Sequence, residues 1–126
     1  MNNKKTTVLI VEDEKMLAEM YATKFSMEGF EPVTANDGVD GLAQAKALKP
    51  DIILLDIIMP KLDGFAVLKE IREDVSLKDI PVILLTNLGQ DEDIKRGQGM
   101  GAADYFVKAN HTPAEVVQKV KDTLKL

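Results

Sequence analysis

Two hydrophobic periods alternate along the chain. Short runs that are apolar at every position occur at Val8-Leu9-Ile10-Val11, Ile52-Ile53-Leu54-Leu55 and Val82-Ile83-Leu84-Leu85. Runs of this kind suit strands buried on both faces. Pro32 to Ala35 and Asp104 to Val107 are two further strand candidates. Between these runs the period becomes helical. Leu17, Met20, Tyr21 and Phe25 mark a helix over Glu14 to Glu28, closed by Gly29. A second helix is predicted over Asp37 to Leu48, with Asn36 as its N-cap and Pro50 as its stop. Phe65, Leu68 and Ile71 mark a third, and Asp91 to Met100 a weaker fourth. Gly97, Gly99 and Gly101 lie in or beside the fourth helix, and an interior glycine costs about 1 kcal/mol relative to alanine, so a loosened helix is expected. Thr112-Pro113-Ala114-Glu115 reads as a capping box with proline at the first helical position. The helix it opens carries Val116, Val117, Val120 and Leu124, while Met16, Leu17 and Met20 of the first helix are expected in the core.

Five strands alternating with five helices predict an α/β fold, a doubly wound parallel sheet covered on both faces. There is no internal repeat, low-complexity segment or linker, so residues 1–126 read as one domain. A chain of 126 residues, 45% hydrophobic and 29% charged, has the make-up of an ordinary globular domain. Its longest apolar runs are four residues, far short of the roughly twenty that a membrane helix needs. Met1 to Lys5 lack the features of a signal peptide, and cysteine is absent; both fit a cytoplasmic protein with no disulfide or thiolate metal site. The net charge of −5, with basic residues scattered among acids, leads to an expectation of no direct nucleic-acid binding.

The chemistry is expected where the strands end, because ligands of open α/β sheets bind beyond the carboxyl ends of the strands. The first strand ends in Glu12-Asp13, the third in Asp56, the fourth in Thr86, and Lys108 follows the fifth. Unit charges about 4 Å apart interact by roughly 4 kcal/mol at an effective dielectric of 20, so three converging carboxylates need protons, a cation or both. Hard oxygen donors without cysteine, and without histidine at any strand end, suit Mg²⁺. Lysine and threonine are suited to hold a phosphoryl group by charge and by hydrogen bond, and Asp56 is the candidate nucleophile. Each of these residues has a bland reading as a surface acid, a helix cap or a packing residue, but their joint placement is hard to explain that way. The segment Gly97-Gln98-Gly99-Met100-Gly101 precedes a strand, the wrong context for a dinucleotide-binding turn. The single histidine, His111, is expected to be exposed and without a catalytic role.

Four segments together carry a family resemblance: Val11-Glu12-Asp13-Glu14; Asp56-Ile57-Ile58-Met59-Pro60 with Asp63-Gly64; Leu84-Leu85-Thr86; and Gly101-Ala102-Ala103-Asp104-Tyr105-Phe106-Val107-Lys108. In this order the chain resembles, over essentially its whole length, the CheY-like receiver domain of response regulators in two-component signalling. The resemblance implies a flavodoxin-like (βα)5 fold and a phosphorylation-activated switch. Asp56 would accept a phosphoryl group from a histidine kinase or a phosphotransfer protein. Asp13, Asp56 and the backbone carbonyl of Ile58 would bind Mg²⁺, with Glu12 acting directly or through water. Lys108 would pair with the phosphoryl oxygens. Thr86 would turn toward the phosphoryl group and Tyr105 would swing inward. The face of the fourth helix, fifth strand and fifth helix would then meet a downstream effector or output domain, with the chain a monomer or weak dimer through that face. Self-phosphorylation and self-dephosphorylation would be its only catalysis.

Some positions depart from the family pattern. Ala109 stands where proline is usual, and a non-proline cis bond costs about 2.5–4 kcal/mol, so a trans Lys108–Ala109 peptide is predicted. Asn87 follows the switch threonine where a small residue is usual, and either contacts or shields the phosphoryl group. Ile58 and Leu88 cannot orient an attacking water by hydrogen bonding, which predicts a long-lived phosphoaspartate. Three other functions remain: a degenerate receiver that only binds protein, a Mg²⁺-dependent aspartyl phosphohydrolase, and a flavodoxin-like cofactor carrier. The phosphohydrolase would need an acid where Ile58 stands, and the cofactor carrier a phosphate loop where Glu12-Asp13-Glu14 stand. Whether the chain stands alone or belongs to a longer regulator is left open by the sequence.

Overall fold

Parallel strands cannot be joined by tight turns, so each needs a crossover helix, and the alternating periods supply one for every strand. The computed structural model describes residues 5–59, 61–86, 91–108 and 112–126. The elements are β1 (Thr7–Val11), α1 (Lys15–Met27), β2 (Glu31–Ala35), α2 (Gly38–Leu48) and β3 (Ile52–Asp56), followed by α3 (Gly64–Glu73), β4 (Val82–Thr86), α4 (Asp91–Gly99), β5 (Asp104–Val107) and α5 (Pro113–Leu124). The strands form one parallel sheet in the order β2-β1-β3-β4-β5. This is the predicted flavodoxin-like architecture.

Successive strand side chains point to opposite faces, and the two cores follow from that alternation. Leu9, Val11, Ile53, Leu55, Val82 and Leu84 join residues of α2 and α3 in one buried cluster. Val8, Ile10, Ile52, Leu54, Ile83, Leu85 and Phe106 join residues of α1 and α5 in the other. The three central strands β1, β3 and β4 each carry four successive buried apolar residues because both of their faces are covered. No helix among the described residues is long and apolar enough to cross a membrane.

Side chains that satisfy free backbone N–H groups set the starts of α2, α3 and α5. The N-cap of α2 is Asp37, not Asn36: its extended backbone lets Oδ1 accept from the Asp40 N–H at 2.8 Å. The carboxylate thus meets the unpaired donor one residue later than expected. Asp63 does the same for α3 at Ala66, and Thr112 with Glu115 forms the predicted capping box of α5.

One expectation about packing is corrected. Met16 and Met20 are 79% and 52% exposed, because α1 turns Ala18, Tyr21 and Phe25 into the core. Leu17 only flanks that stripe, packing against the cluster while partly buried. Gly97 has a packing reason beyond any loosening of α4. A Cβ there would stand 2.4 Å from Leu84 Cδ1, so glycine lets the helix sit close on β4. At the far end of α4, Arg72 spans the corner. Its Nη1 donates to the carbonyls of Lys78 and Ile80 at 3.0 and 2.9 Å, and its Nη2 to Gly101 at 2.8 Å.

Candidate functional site

β1 and β3 are neighbours, yet their crossovers lead to opposite sides of the sheet, and this switch point opens a crevice at their carboxyl ends. Asp56 closes β3 and Glu12 directly follows β1; both are buried, while Asp13 beside them is exposed. One carboxylate oxygen from each of the three lies within 4.8 Å of the others. Lys108, just past β5, reaches over with its side chain 6% exposed. Its Nζ donates to Glu12 Oε1 and lies 3.0 Å from Asp56 Oδ2. Backbone donors hold the remaining oxygens. The Glu14 N–H donates to Glu12 Oε2 at 3.1 Å, and the Ile58 N–H to Asp56 Oδ1 at 3.3 Å.

Strand alternation explains this grouping. Glu12, Asp56 and Lys108 each stand two residues beyond Ile10, Leu54 and Phe106, so they continue the sheet face covered by α1 and α5. Thr86 continues the opposite face, that of Val82 and Leu84, against which Tyr105 also packs. Thr86 is buried at the end of β4, and Tyr105 is partly buried in β5. The sheet therefore separates the carboxylate–ammonium group from the two residues expected to switch.

The loop after Asp56 is held close. The Gly64 N–H donates to the Ile57 carbonyl at 2.8 Å, and a Cβ on Gly64 would stand 2.3 Å from the Asp56 carbonyl oxygen. Glycine is needed here because α3 begins directly against the backbone of Asp56. Ile58 projects to solvent at the rim, 63% exposed.

Burial, followed by the charge of Glu12, pushes the Asp56 carboxyl up to about 7 despite the opposing charge of Lys108. Burial disfavours charge on Lys108 as well, but its hydrogen bond to Glu12 and the charge of Asp56 prevail and hold its pKa above the ordinary value. Glu12 and Asp56, both out of water, thus share one ammonium, and the exposed Asp13 adds a third carboxylate beside them. The donor set is all hard oxygen, with one exposed member facing solvent, so these residues fit Mg²⁺ better than a softer metal.

Asn87, Leu88, Ala109 and His111 lie outside the described residues, as does the Lys108–Ala109 peptide. Sequence reasoning missed two features near the site. Tyr21 is a fully buried phenol below it, and the Arg96 guanidinium lies 4.1 Å from the centroid of the Phe65 ring. Helical spacing places Tyr21 in the core without revealing what lies above its hydroxyl, and nothing local in the sequence pairs Arg96 with Phe65.

The model of the response regulator receiver domain matches residues 8–121. The chain belongs to that family. Among its relatives, the Guillardia theta protein named "Probable transcriptional regulator ycf27" is 42% identical over 121 residues, which is 96% of this chain and 46% of the relative. The DNA-binding dual master transcriptional regulator RpaA of Synechocystis is 41% identical over 101 residues, 80% of this chain and 42% of that protein. The structure of chemotaxis protein CheY4 from Vibrio cholerae superimposes with a TM-score of 0.89 at 28% identity, covering 95% of this chain and 99% of that one. The receiver spans about half the length of the curated relatives it matches. These relatives overturn the expectation that nucleic acid has no place among the partners, since they are named as transcriptional regulators and one as DNA-binding. The net charge of this receiver carries no information about the other half of such proteins.

Proposed function

We propose that this receiver is a Mg²⁺-dependent phosphorylation switch that serves a transcriptional regulator in the cytoplasm. The observation that carries this reading is the convergence of Glu12, Asp13, Asp56 and Lys108 at one crevice. Glu12, Asp13 and Asp56 would hold the metal, joined by the Ile58 carbonyl on the strength of the family resemblance. When bound, Mg²⁺ supplies positive charge that draws carboxylate and phosphoryl oxygens together and offsets their repulsion.

The other steps fall to the chain itself. An oxygen of Asp56 attacks the phosphorus of a phosphohistidine on a kinase or phosphotransfer protein. The new O–P bond replaces the P–N bond, and the imidazole leaves with its electron pair. Lys108 exchanges its contact with Asp56 for the phosphoryl oxygens, where its charge stabilises the transferring group. Thr86 donates its hydroxyl to the same oxygens, and Tyr105, on the face shared with Thr86, follows it inward. Water later attacks the phosphorus, releasing inorganic phosphate and restoring the carboxylate. Self-directed chemistry of this kind gives a signalling protein, not an enzyme with a separate substrate. The output is relayed to an effector through the face of α4, β5 and α5.

The test is to incubate the protein with Mg²⁺ and acetyl phosphate and record its intact mass. A gain of one phosphoryl group, absent in Asp56→Asn and absent with chelator, is the expected result. No gain from acetyl phosphate or from a phosphohistidine donor, with the protein folded, would sink the reading and leave a receiver that only binds protein.

A further inference from the structure

The layer directly beneath the site is apolar except for one group. Ile10, Leu54 and Phe106, the residues two positions below Glu12, Asp56 and Lys108, share their buried cluster with Tyr21 from α1. Tyr21 is 2% exposed, and among the described residues its hydroxyl makes no hydrogen bond. A buried hydroxyl normally finds a partner, because leaving water without one costs free energy. Lys108 presents the complementary shortage. An ammonium has three donors, and among the described residues two of its neighbours accept them, Glu12 and Asp56. The charges of Lys108, Glu12 and Asp56 all act on the phenol, while burial does most to raise its pKa.

Resting on the phosphoacceptor reading above, we propose that Tyr21 is a positioning residue for Lys108. Its hydroxyl, buried in the cluster that continues the sheet face of Glu12, Asp56 and Lys108, takes the third N–H of the ammonium through one bridging water and fixes the reach of Lys108 toward the phosphoryl oxygens. Tyr21 touches no reacting atom. It acts through Lys108, and it suits a chain in which Ala109 cannot preset the segment after the lysine as proline would.

The test uses Tyr21→Phe, which keeps the ring and removes the hydroxyl, with Val117→Ala as a packing control from the same cluster. Trace acylation with acetic anhydride, read by peptide mass spectrometry, reports the reactivity of Lys108 relative to Lys46 and Lys119. In Tyr21→Phe the relative reactivity of Lys108 should rise about three- to tenfold, the range that one hydrogen bond supplies. The maximal rate of phosphorylation by acetyl phosphate should fall by a similar factor at an unchanged half-saturating donor concentration. Val117→Ala should change neither quantity. Unaltered Lys108 reactivity in Tyr21→Phe, or an equal change in Val117→Ala, would overturn the proposal. If wild-type protein takes no phosphoryl group but the contrast in reactivity persists, the positioning role stands and the phosphoacceptor reading fails.

Discussion

Helices α3 and α4 lie on the same side of the sheet, and the chain attaches them very differently. Five residues of α3, Gly64, Phe65, Val67, Leu68 and Ile71, are buried, and its first residue rests on the backbone of Asp56. Among the described side chains of α4, only Gly97 is buried, and the helix is otherwise charged or polar apart from the half-buried Ile94. Two adjacent residues seat it: Gly97 against Leu84, and Arg96 over the ring of Phe65. The helix that carries the site's backbone is fixed by hydrophobic burial, whereas the helix expected to signal is seated, among the described residues, chiefly by a close approach and a cation–π contact. Low burial of this kind marks elements that open or shift at little cost.

The contrast can be broken most strongly from the α3 side. Leu68→Ala empties a fully buried position and should lower stability by about 3–5 kcal/mol, whereas Ile94→Ala in α4 should cost less than about 1 kcal/mol. Urea denaturation midpoints compare the two directly, and equal losses would refute the distinction. A smaller effect should come from the site at the strand ends. The folded-state pKa of Asp56 is raised to about 7, so between its ordinary value and 7 the folded chain binds more protons than the unfolded one. Metal-free stability should therefore fall as pH rises through that window. Asp56→Asn should remove the slope; at about 1.36 kcal/mol per pKa unit the rise corresponds to about 4 kcal/mol, of which relaxation should leave the variant more stable by roughly 2–3 kcal/mol near pH 8. Parallel urea titrations near pH 5 and pH 8 measure it, and a wild-type slope retained in the variant would refute the assignment to Asp56. The smallest effect belongs to the seat of α4. Arg96→Met should cost about 0.5–1 kcal/mol globally while raising amide exchange within α4 and not within α3. Uniform exchange across both helices would show that Arg96 does not hold α4 selectively.

Much of this arrangement was legible in the residue pattern. The fully apolar strands declared a two-sided sheet, and the acids and lysine at their ends declared the crevice, because strand ends are positions that burial cannot explain. Other features depended on tertiary contacts. Met16 and Met20 sit at helical spacing, yet a helix presents more apolar residues than its neighbours cover, and spacing does not say which are left out. Asn36 and Asp37 are both competent caps, and the turn leading into α2 decides between them. Gly97 weakens a helix by propensity and strengthens its seating by proximity, and only the position of Leu84 shows the second effect. The missed nucleic-acid connection has a simpler cause. Charge counted over one receiver does not describe relatives about twice its length.

The strand order also bears on how the chain folds as it is made. Val8 lies opposite both Pro32 and Ile52, so β1 gains its outer neighbour early and its inner one only after α2 has been synthesised. At roughly 5–20 residues per second, the stretch of about forty residues separating β1 from β3 takes several seconds to emerge. During that interval the edge of β1 that will meet β3 has no mate, and its residues are apolar on both sides. An unpaired apolar edge is a template for intermolecular pairing. The crossover that opens the crevice between β1 and β3 therefore also makes the nascent amino-terminal third the segment most in need of shielding during translation.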